Sequence, residues 1–323
     1  GVTTYTYDLV GNLITQEDPN HKVTTYAYNE KDQLTSVTDP EGYVTTYTYD
    51  AVGNKLTEQD GNLHTTTFGY DATNRLVTVT NPLSQTITYG YDNAGNRTTV
   101  TDALGHTTTT AYDELNRPVT ITDPLSHVTT TTYDTVGNVL TVTDANNHTT
   151  TYTYTALGQL ETVTDARSGV VTFAYDETGN RTSMEDANLH LTTYAYDELS
   201  RLESVTDPLS HTTTHTYDTN GNRATTLDTN GHTTTYIYDE LNRLTNIAYD
   251  DGTSVTYTYD LAGNRLTMFD SLGITTYTYD DLYRPLSITS PTGTTSYTYD
   301  AVNRLTLTTP AGTTTYTYDA ADR

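Results

Sequence analysis

The chain has 323 residues, of which 34% are hydrophobic; 30 of these are Tyr, whereas Phe occurs three times, Met twice and Trp never. A compact core packed from Leu, Ile and Phe is therefore not expected. The 41 acidic residues outnumber the 15 basic ones, and the net charge of −26 argues against nucleic acid as a partner and against membrane insertion.

Cysteine is absent from the sequence, which excludes disulfides, thiolate metal sites and cysteine nucleophiles. No apolar run approaches the roughly 18 residues that a spanning helix requires. The composition therefore leaves a strongly acidic chain, rich in Thr and Tyr, whose organisation has to be sought in its repeats.

A tyrosine followed by Asp, or in two repeats by Asn or Thr, recurs at a fixed interval. The step is 21 residues over the first twelve intervals and shortens over the last three, and the tyrosines are Tyr7, Tyr28, Tyr49, Tyr70, Tyr91, Tyr112, Tyr133, Tyr154, Tyr175, Tyr196, Tyr217, Tyr238, Tyr259, Tyr279, Tyr299 and Tyr318. We interpret residues 1–323 as a single array of 16 repeats with no separate catalytic or cap domain. Both ends fall inside the pattern, so we expect the chain to be a segment of something longer.

Each repeat predicts two strands and two turns, in the order strand, turn, strand, turn. Residues 256–267 read Thr-Tyr-Thr-Tyr-Asp-Leu-Ala-Gly-Asn-Arg-Leu-Thr; the Thr/Tyr alternation is typical of a strand, and Asp followed three residues later by Gly is typical of a tight turn. We call this the first turn. A second Thr-rich strand then leads to a second turn, where Pro often follows Asp, as at Pro40 and Pro124.

Successive turns of this kind predict an all-β chain folded as one continuous antiparallel hairpin ribbon. The repeats supply about 32 strands, and open twisted sheets rarely exceed about ten strands without curling. We therefore predict that the ribbon is coiled into a spiral shell or tube.

Seven first turns share a Tyr-Asp-x-x-Gly-Asn motif, and we expect its residues to be the structural site residues of the array. They are Tyr7, Asp8, Gly11, Tyr49, Asp50, Gly53, Tyr91, Asp92, Gly95, Tyr133, Asp134, Gly137, Tyr175, Asp176, Gly179, Tyr217, Asp218, Gly221, Tyr259, Asp260 and Gly263. The intervening repeats carry other residues at the glycine position, for example Asn74 and Ser200. This alternation, with a 42-residue period, predicts two hairpin shapes that alternate along one edge.

One column of the repeat is apolar. Nine residues after each repeat tyrosine stand Val37, Val79, Val100, Ile121, Val142, Val163, Met184, Val205, Ile247, Met268 and Ile288, with Gln16, Glu58, Thr226 and Thr308 as polar exceptions. A single apolar column is thin for a sealed core, so Thr and Tyr are expected to cover much of the strand surface.

The pattern Tyr-Asp-x-x-Gly-Asn-Arg-x-Thr, repeated at about 21 residues, resembles the Rhs, or YD, repeat family of bacterial Rhs proteins, insecticidal toxin-complex shells and teneurins. The resemblance covers the whole chain. It implies a β-ribbon that spirals into a hollow shell, which in bacterial members encloses a toxic C-terminal polypeptide. It also implies secretion, and hence an extracellular or cell-surface location.

Family shells also carry a self-cleavage segment similar to Asp-Pro-x-Gly-Leu. Asp39-Pro40-Glu41-Gly42 comes nearest to it in this sequence, but Tyr43 replaces the Leu and equivalent turns recur in register, so we do not interpret it as a cleavage site.

The repeated residues offer little sign of catalysis or of a cofactor. Eight histidines share one place in the repeat: His64, His106, His127, His148, His190, His211 and His232 lie 15 residues after the repeat tyrosine, and His21 lies 14 after it. Consecutive copies would lie roughly 10 Å apart, so we expect a solvent-facing column and no metal site. The turn aspartates stand nearly alone, which favours turn capping over calcium binding. An active site breaks repeat symmetry, and we therefore expect a chain that is not an enzyme and has no cofactor.

Two functional hypotheses remain open at this point. The first is a noncatalytic wall that encloses a toxic C-terminal cargo for delivery to neighbouring cells. The second is a structural or adhesive surface protein that forms a tube or filament, with glycans as ligands of its tyrosine columns. The partners are accordingly the protein's own cargo, further copies of the same chain, or glycans.

Overall fold

The computed structural model describes all 323 residues and contains β-strands but no helix. The 31 strands belong to one sheet. They are β1 Thr4–Tyr7, β2 Leu13–Glu17, β3 Val23–Tyr28, β4 Leu34–Thr38, β5 Val44–Tyr49, β6 Lys55–Gln59, β7 Thr65–Tyr70, β8 Leu76–Thr80, β9 Thr86–Tyr91, β10 Arg97–Thr101, β11 Thr107–Tyr112, β12 Pro118–Thr122, β13 Val128–Tyr133, β14 Val139–Thr143, β15 Thr149–Tyr154, β16 Leu160–Thr164, β17 Val170–Tyr175, β18 Arg181–Glu185, β19 Leu191–Tyr196, β20 Leu202–Thr206, β21 Thr212–Tyr217, β22 Arg223–Leu227, β23 Thr233–Tyr238, β24 Leu244–Tyr249, β25 Ser254–Tyr259, β26 Arg265–Asp270, β27 Gly273–Tyr279, β28 Pro285–Ser290, β29 Gly293–Tyr299, β30 Arg304–Thr309 and β31 Gly312–Thr315.

Strands pair antiparallel with their neighbours in the chain, as the succession of tight turns predicts. In β15 and β16, Tyr152 is opposite Val163; in β16 and β17, Val163 is opposite Val171. The all-β ribbon predicted from the sequence is confirmed. It has one strand fewer than expected, because the last strand ends at Thr315 and no strand follows it.

Nearly every first and second turn has the same backbone geometry. In the first turn at Asp113 the N–H donates to the Arg117 carbonyl at 3.0 Å, and in the second turn at Asp123 the N–H donates to the His127 carbonyl at 3.0 Å. The fourth residue is left-handed whether or not it is Gly, as in Gly137 (φ 104°), Asn116 (φ 61°) and Ser126 (φ 68°). This is the type I turn with a following left-handed residue that three-residue hairpin loops favour.

The expectation of two alternating hairpin shapes is therefore wrong. A left-handed residue at the fourth position completes the same two hydrogen bonds in both kinds of first turn, and Asn tolerates that conformation better than most residues other than Gly. The alternation affects side-chain partners and leaves the backbone path unchanged. Near the C-terminal end the second turns shorten to two-residue loops, as between the paired residues Asp270 and Gly273.

The two faces of the sheet differ in composition and exposure. In β3, Thr24, Tyr26 and Tyr28 are half-buried, whereas the intervening side chains are exposed. The half-buried face carries the tyrosines opposite the apolar column, as in Tyr26 opposite Val37, a cross-strand aromatic pairing that stabilises sheets. The opposite face carries paired threonine hydroxyls, and no hydrophobic side chain is fully buried. We refer to the tyrosine face and the threonine face.

The chain divides into two compact units. The first comprises Gly1–Thr88, Asp239–Ile247 and Thr253–Arg323, and the second comprises Tyr89–Tyr238 and Ala248–Gly252. Within the first unit, segments far apart in sequence touch: Asn20 donates a hydrogen bond to Asp260, 240 residues later, at 2.8 Å. The ribbon has thus coiled back against its own beginning inside this unit. The structure offers no helix with the length and apolar character that a membrane crossing requires.

Candidate functional site

The first-turn aspartate organises its own turn. Asp8 Oδ1 accepts hydrogen bonds from the backbone N–H groups of Val10, Gly11 and Asn12 at 2.8 to 3.0 Å. Such bonds to the ionised carboxylate favour its charged form. Desolvation raises the pKa of Asp8, but the hydrogen bonds from Asn12, Val10 and Gly11 outweigh it and hold the pKa below its ordinary value. In the turn at Asp176, side-chain hydrogen bonds from Thr178 and Asn180 lower the pKa to about 2.

Two repeats lack this aspartate, and their turns still form. Asn29 uses its side-chain oxygen in the same way, accepting from Lys31 at 2.9 Å and Gln33 at 3.1 Å. Thr155 does so with longer bonds, 3.3 Å to Leu157 and 3.2 Å to Gln159. The capping oxygen, more than its charge, is what the turn geometry requires.

The two kinds of first turn, which alternate with a 42-residue period, differ in the side chain that joins each turn to the next. After a glycine turn, an asparagine binds both its own aspartate and the next turn: Asn54 Nδ2 lies 2.8 Å from Asp50 Oδ2 and 2.9 Å from Asn74 Oδ1. In most intervening turns an arginine stands at this position, with Gln33 and Gln159 as the exceptions. Arg117 shows both contacts: its Nε lies 2.7 Å from Asp113 Oδ2, and its Nη1 donates to the Asp134 carbonyl at 3.0 Å. Where both residue types are present, asparagine and arginine therefore alternate as links along this edge.

The repeat tyrosine links consecutive hairpins at this same edge. The backbone ladder between β16 and β17 extends no further towards the first turns than the pair Thr162 and Thr172. Beyond it, the Tyr175 hydroxyl donates to the Leu160 carbonyl at 2.8 Å. Twelve repeat tyrosines make this bond to a carbonyl 14 or 15 residues earlier, at 2.7 to 3.0 Å; they are Tyr49, Tyr70, Tyr112, Tyr133, Tyr154, Tyr175, Tyr196, Tyr217, Tyr259, Tyr279, Tyr299 and Tyr318.

Arginines cover part of the tyrosine face. The Arg265 guanidinium lies 5.7 Å from the ring centre of Tyr257 and 4.3 Å from that of Tyr277, so it lies between rings of consecutive repeats. Arg117 stacks on Tyr133 at 4.6 Å. These are cation–π distances, and they leave less ring surface for an external ligand.

The second turns carry the histidine column. In the second unit each column histidine places Nδ1 2.8 to 3.3 Å from the aspartate four residues earlier, and these side chains are more than half exposed, as expected from the sequence. The segment nearest to a family cleavage motif is an ordinary second turn, in which Asp39 Oδ1 accepts from the backbone N–H groups of Glu41 and Tyr43.

Where the ribbon meets itself in the first unit, second turns dock onto first turns. We call this contact the seam; it joins residues 18–22, 39–43 and 60–64 to residues 260–263, 280–284, 300–303 and 319–323. Lys22 pairs with Asp281, and the Tyr283 hydroxyl donates to Asp18. Desolvation together with the bond to Asp18 raises the pKa of Tyr283 to about 12.

A single arginine holds the middle of the seam. Arg284 Nη2 lies 2.8 Å from Glu41 Oε2, and its Nε lies 2.6 Å from Asp280 Oδ2. Burial and then the Asp280 charge raise the pKa of Glu41, and Arg284 opposes them only in part. Close approach also depends on Gly61, where an added Cβ would lie 2.7 Å from Ala301 Cβ. The seam thus combines ion pairs with steric fit.

The sequence-predicted motif residues lie along one edge, one set per repeat, and do not gather in a cleft. Sequence reasoning missed the seam, the tyrosine-to-carbonyl bonds and the stacked arginines. One signal was available for the second of these, because the repeat tyrosine is Tyr in all 16 repeats whereas the aromatic two residues earlier is Phe68 or Phe173 in two of them.

Two family models match the chain and together span almost all of it. The model described as Teneurin YD-shell matches residues 1–148 and 55–189, which is more than half of the chain. The model described as RHS Repeat matches residues 175–212, 196–233, 217–254, 238–271, 259–295 and 284–314. The chain belongs to the Rhs/YD-repeat family. Among curated proteins, none matches this YD-repeat chain.

Solved toxin-complex structures share the fold of the YD-repeat chain. It is similar to TcdB2-TccC3-TEV (16% identity, TM-score 0.60) over 99% of its own length and 24% of that chain. It is equally similar to a Photorhabdus luminescens Tc holotoxin pore and to TcdB2-TccC3 without its hypervariable C-terminal region, each with 16% identity, a TM-score of 0.60, 98% of this chain and 24% of the other. The YD-repeat chain therefore spans about a quarter of these chains and has the β-shell fold.

Proposed function

We propose that this chain is a noncatalytic wall segment of an Rhs-type shell that encloses a toxic C-terminal polypeptide and is secreted to deliver it to neighbouring cells. The observation that carries the proposal is the seam. Second turns of residues 1–88 dock onto first turns of residues 253–323 through Lys22, Asp281, Glu41 and Arg284. An edge whose turns pair with the opposite edge of the next coil can build a continuous wall.

The absence of a sealed hydrophobic core supports the same role. No hydrophobic side chain is buried, so the sheet is held by hydrogen bonds and cross-strand pairs spread evenly along its length. A single layer of this kind suits a barrier better than a catalytic cleft. The solved relatives named for TcdB2-TccC3, one of them without its hypervariable C-terminal region, support a cargo polypeptide as the partner.

The adhesive alternative receives less support from the tyrosine face. Its hydroxyls donate to carbonyls, as Tyr175 does to Leu160, and its rings are shared with guanidinium groups such as that of Arg265. Glycan recognition through tyrosine columns would need free ring faces and hydroxyls. Further copies of the same chain stay candidate partners at the exposed turn edges.

The test is protease protection in the intact protein purified from its natural source. We expect closed ovoid particles in negative-stain images and a C-terminal polypeptide that resists protease until urea opens the particle. A separately expressed C-terminal polypeptide is the control and should be digested at once. Long uniform tubes, or a C-terminal polypeptide digested equally fast with and without urea, would refute the container and favour the filament.

A further inference from the structure

One second turn departs from the histidine column. In the six second turns of the second unit, the column histidine side chain is 54 to 66% exposed and lies 2.8 to 3.3 Å from the local aspartate. His64 in the first unit is only 26% exposed, and its Nδ1 lies 3.6 Å from Asp60 Oδ2. In this second turn, therefore, the hydrogen bond between the column histidine and the aspartate four residues earlier is absent.

A third group occupies the space beside His64. Asp322, 258 residues later in the chain, places Oδ1 3.3 Å from His64 Nδ1. One ligand atom each of Asp60, His64 and Asp322 lies within 4.8 Å of the other two. His64 Nδ1 is shielded from solvent and has no hydrogen-bond partner. Buried polar atoms in proteins nearly always have a partner, so we expect a bound group between the imidazole nitrogen and the two carboxylates.

The surrounding bonds orient these groups. Asp60 Oδ1 accepts from the backbone N–H groups of Asn62 and His64, both at 2.9 Å, which leaves Oδ2 to face the imidazole. Asn303 Nδ2 donates to Asp322 Oδ1 at 2.6 Å. Carboxylates that bind a metal are commonly held in place by hydrogen bonds of this kind.

We propose that Asp60, His64 and Asp322 form a binding site for a divalent transition metal of the zinc type. A tetrahedral centre with bonds of about 2.0 to 2.1 Å places its ligand atoms about 3.3 to 3.4 Å apart. Of the observed separations from His64 Nδ1, the 3.3 Å to Asp322 equals that spacing and the 3.6 Å to Asp60 is slightly longer. Imidazole nitrogen favours zinc, nickel or copper over calcium and magnesium, which prefer oxygen ligands.

The sequence pattern gave no sign of a metal site, because consecutive histidines of the column lie too far apart to share a metal ion. The third ligand comes instead from another coil of the ribbon, which no repeat periodicity reveals. A metal ion bound here joins residues 60–64 to the segment around Asp322 and would fasten the seam of the first unit. The site goes beyond the proposed wall function and does not depend on any cargo.

The test uses the untagged, chelator-treated chain and Zn²⁺ alone as the probe, titrated by calorimetry at neutral pH. Cobalt absorption provides a second readout of a tetrahedral site. The variants are His64→Asn and Asp322→Asn, and the matched control is His106→Asn, which removes a histidine from the same column where no third group is present. We expect one tight Zn²⁺ per chain, an affinity at least about tenfold lower in both site variants, and no change in the control.

Two results would overturn the proposal. One is the same Zn²⁺ affinity in all four chains, or an equal loss in the His106→Asn control, which would assign binding to the exposed column. The other is a lowered unfolding midpoint in His64→Asn and Asp322→Asn in the presence of chelator, with unchanged Zn²⁺ affinity. That second result would show that the three side chains hold the seam together directly, without a bound metal ion.

Discussion

The hydroxyl of the repeat tyrosine should be a measurable source of stability, because it joins hairpins where their backbone ladder has ended. The perturbation is the triple change Tyr154→Phe, Tyr175→Phe and Tyr196→Phe, which removes bonds of 3.0, 2.8 and 3.0 Å to backbone carbonyls. A neutral hydrogen bond contributes about 1 kcal/mol net, with a range of about 0.5 to 1.5. Equivalent strands lie about 10 Å apart, so the effects should add.

The triple variant should therefore lose about 3 kcal/mol of unfolding free energy. The assay is urea unfolding followed by circular dichroism, with each single variant measured alongside. The matched control changes Tyr152 and Tyr194, in the column two residues before the repeat tyrosine, to Phe. Their equivalent between them is Phe173 in the natural sequence, so this double variant should unfold at nearly the unchanged urea concentration. A control that loses as much stability as the triple variant would refute the reasoning, since ring polarity in general, and not the carbonyl bond, would then be responsible.

Three further predictions concern acid, backbone strain and the seam. Turn carboxylates such as Asp113, where the backbone N–H and then the side chain of Arg117 hold the pKa below its ordinary value of 3.8, stabilise the fold at neutral pH. Unfolding free energy measured against pH should therefore fall as the pH drops below about 4, and a loss centred near pH 6 would contradict this. Leu189→Gly should stabilise the chain by about 1 kcal/mol, because Leu189 is left-handed (φ 64°) and 78% exposed; a lower thermal midpoint would contradict it. Gly61→Ala should destabilise the chain by about 1 to 3 kcal/mol, because the added Cβ would clash with Ala301 across the seam. The turn itself accepts alanine, since Ala145 occupies the same turn position. Unchanged urea unfolding would show that the seam does not form.

The local structure could largely be predicted from the sequence. Thr/Tyr alternation specified the strands, and an Asp three residues before Gly specified the first turns, because both signals act within a few residues. The alternation of residues in the first turns does not correspond to two backbone shapes. The first-turn residues Gly53 (φ 108°) and Asn74 (φ 63°) both adopt left-handed backbone, and even Leu63 (φ 68°) does so in a second turn, since the hydrogen bonds of the turn outweigh the local preference.

The longer-range features could not be predicted in this way. Whether Lys22 meets Asp281, or His64 meets Asp322, depends on twist and curvature accumulated over more than twenty strands, and small differences per strand add up. The face taken by the tyrosines was likewise open, because alternation defines two faces without saying which one is better covered. Only the contacts between coils reveal the seam and the site within it.

A continuous wall requires that the ribbon return onto its own beginning within the first unit. Because the chain has no cysteine, His21→Cys and Leu261→Cys can carry two unique nitroxide labels for a distance measurement by double electron–electron resonance. Both side chains are exposed and flank the Asn20–Asp260 contact of 2.8 Å. We expect a short, narrow distance distribution of about 20 to 30 Å, allowing about 10 Å for each label beyond the strand spacing. An uncoiled ribbon would separate the labels by more than twenty strands, or about 110 Å, and a distribution without the short distance would contradict the coiled wall.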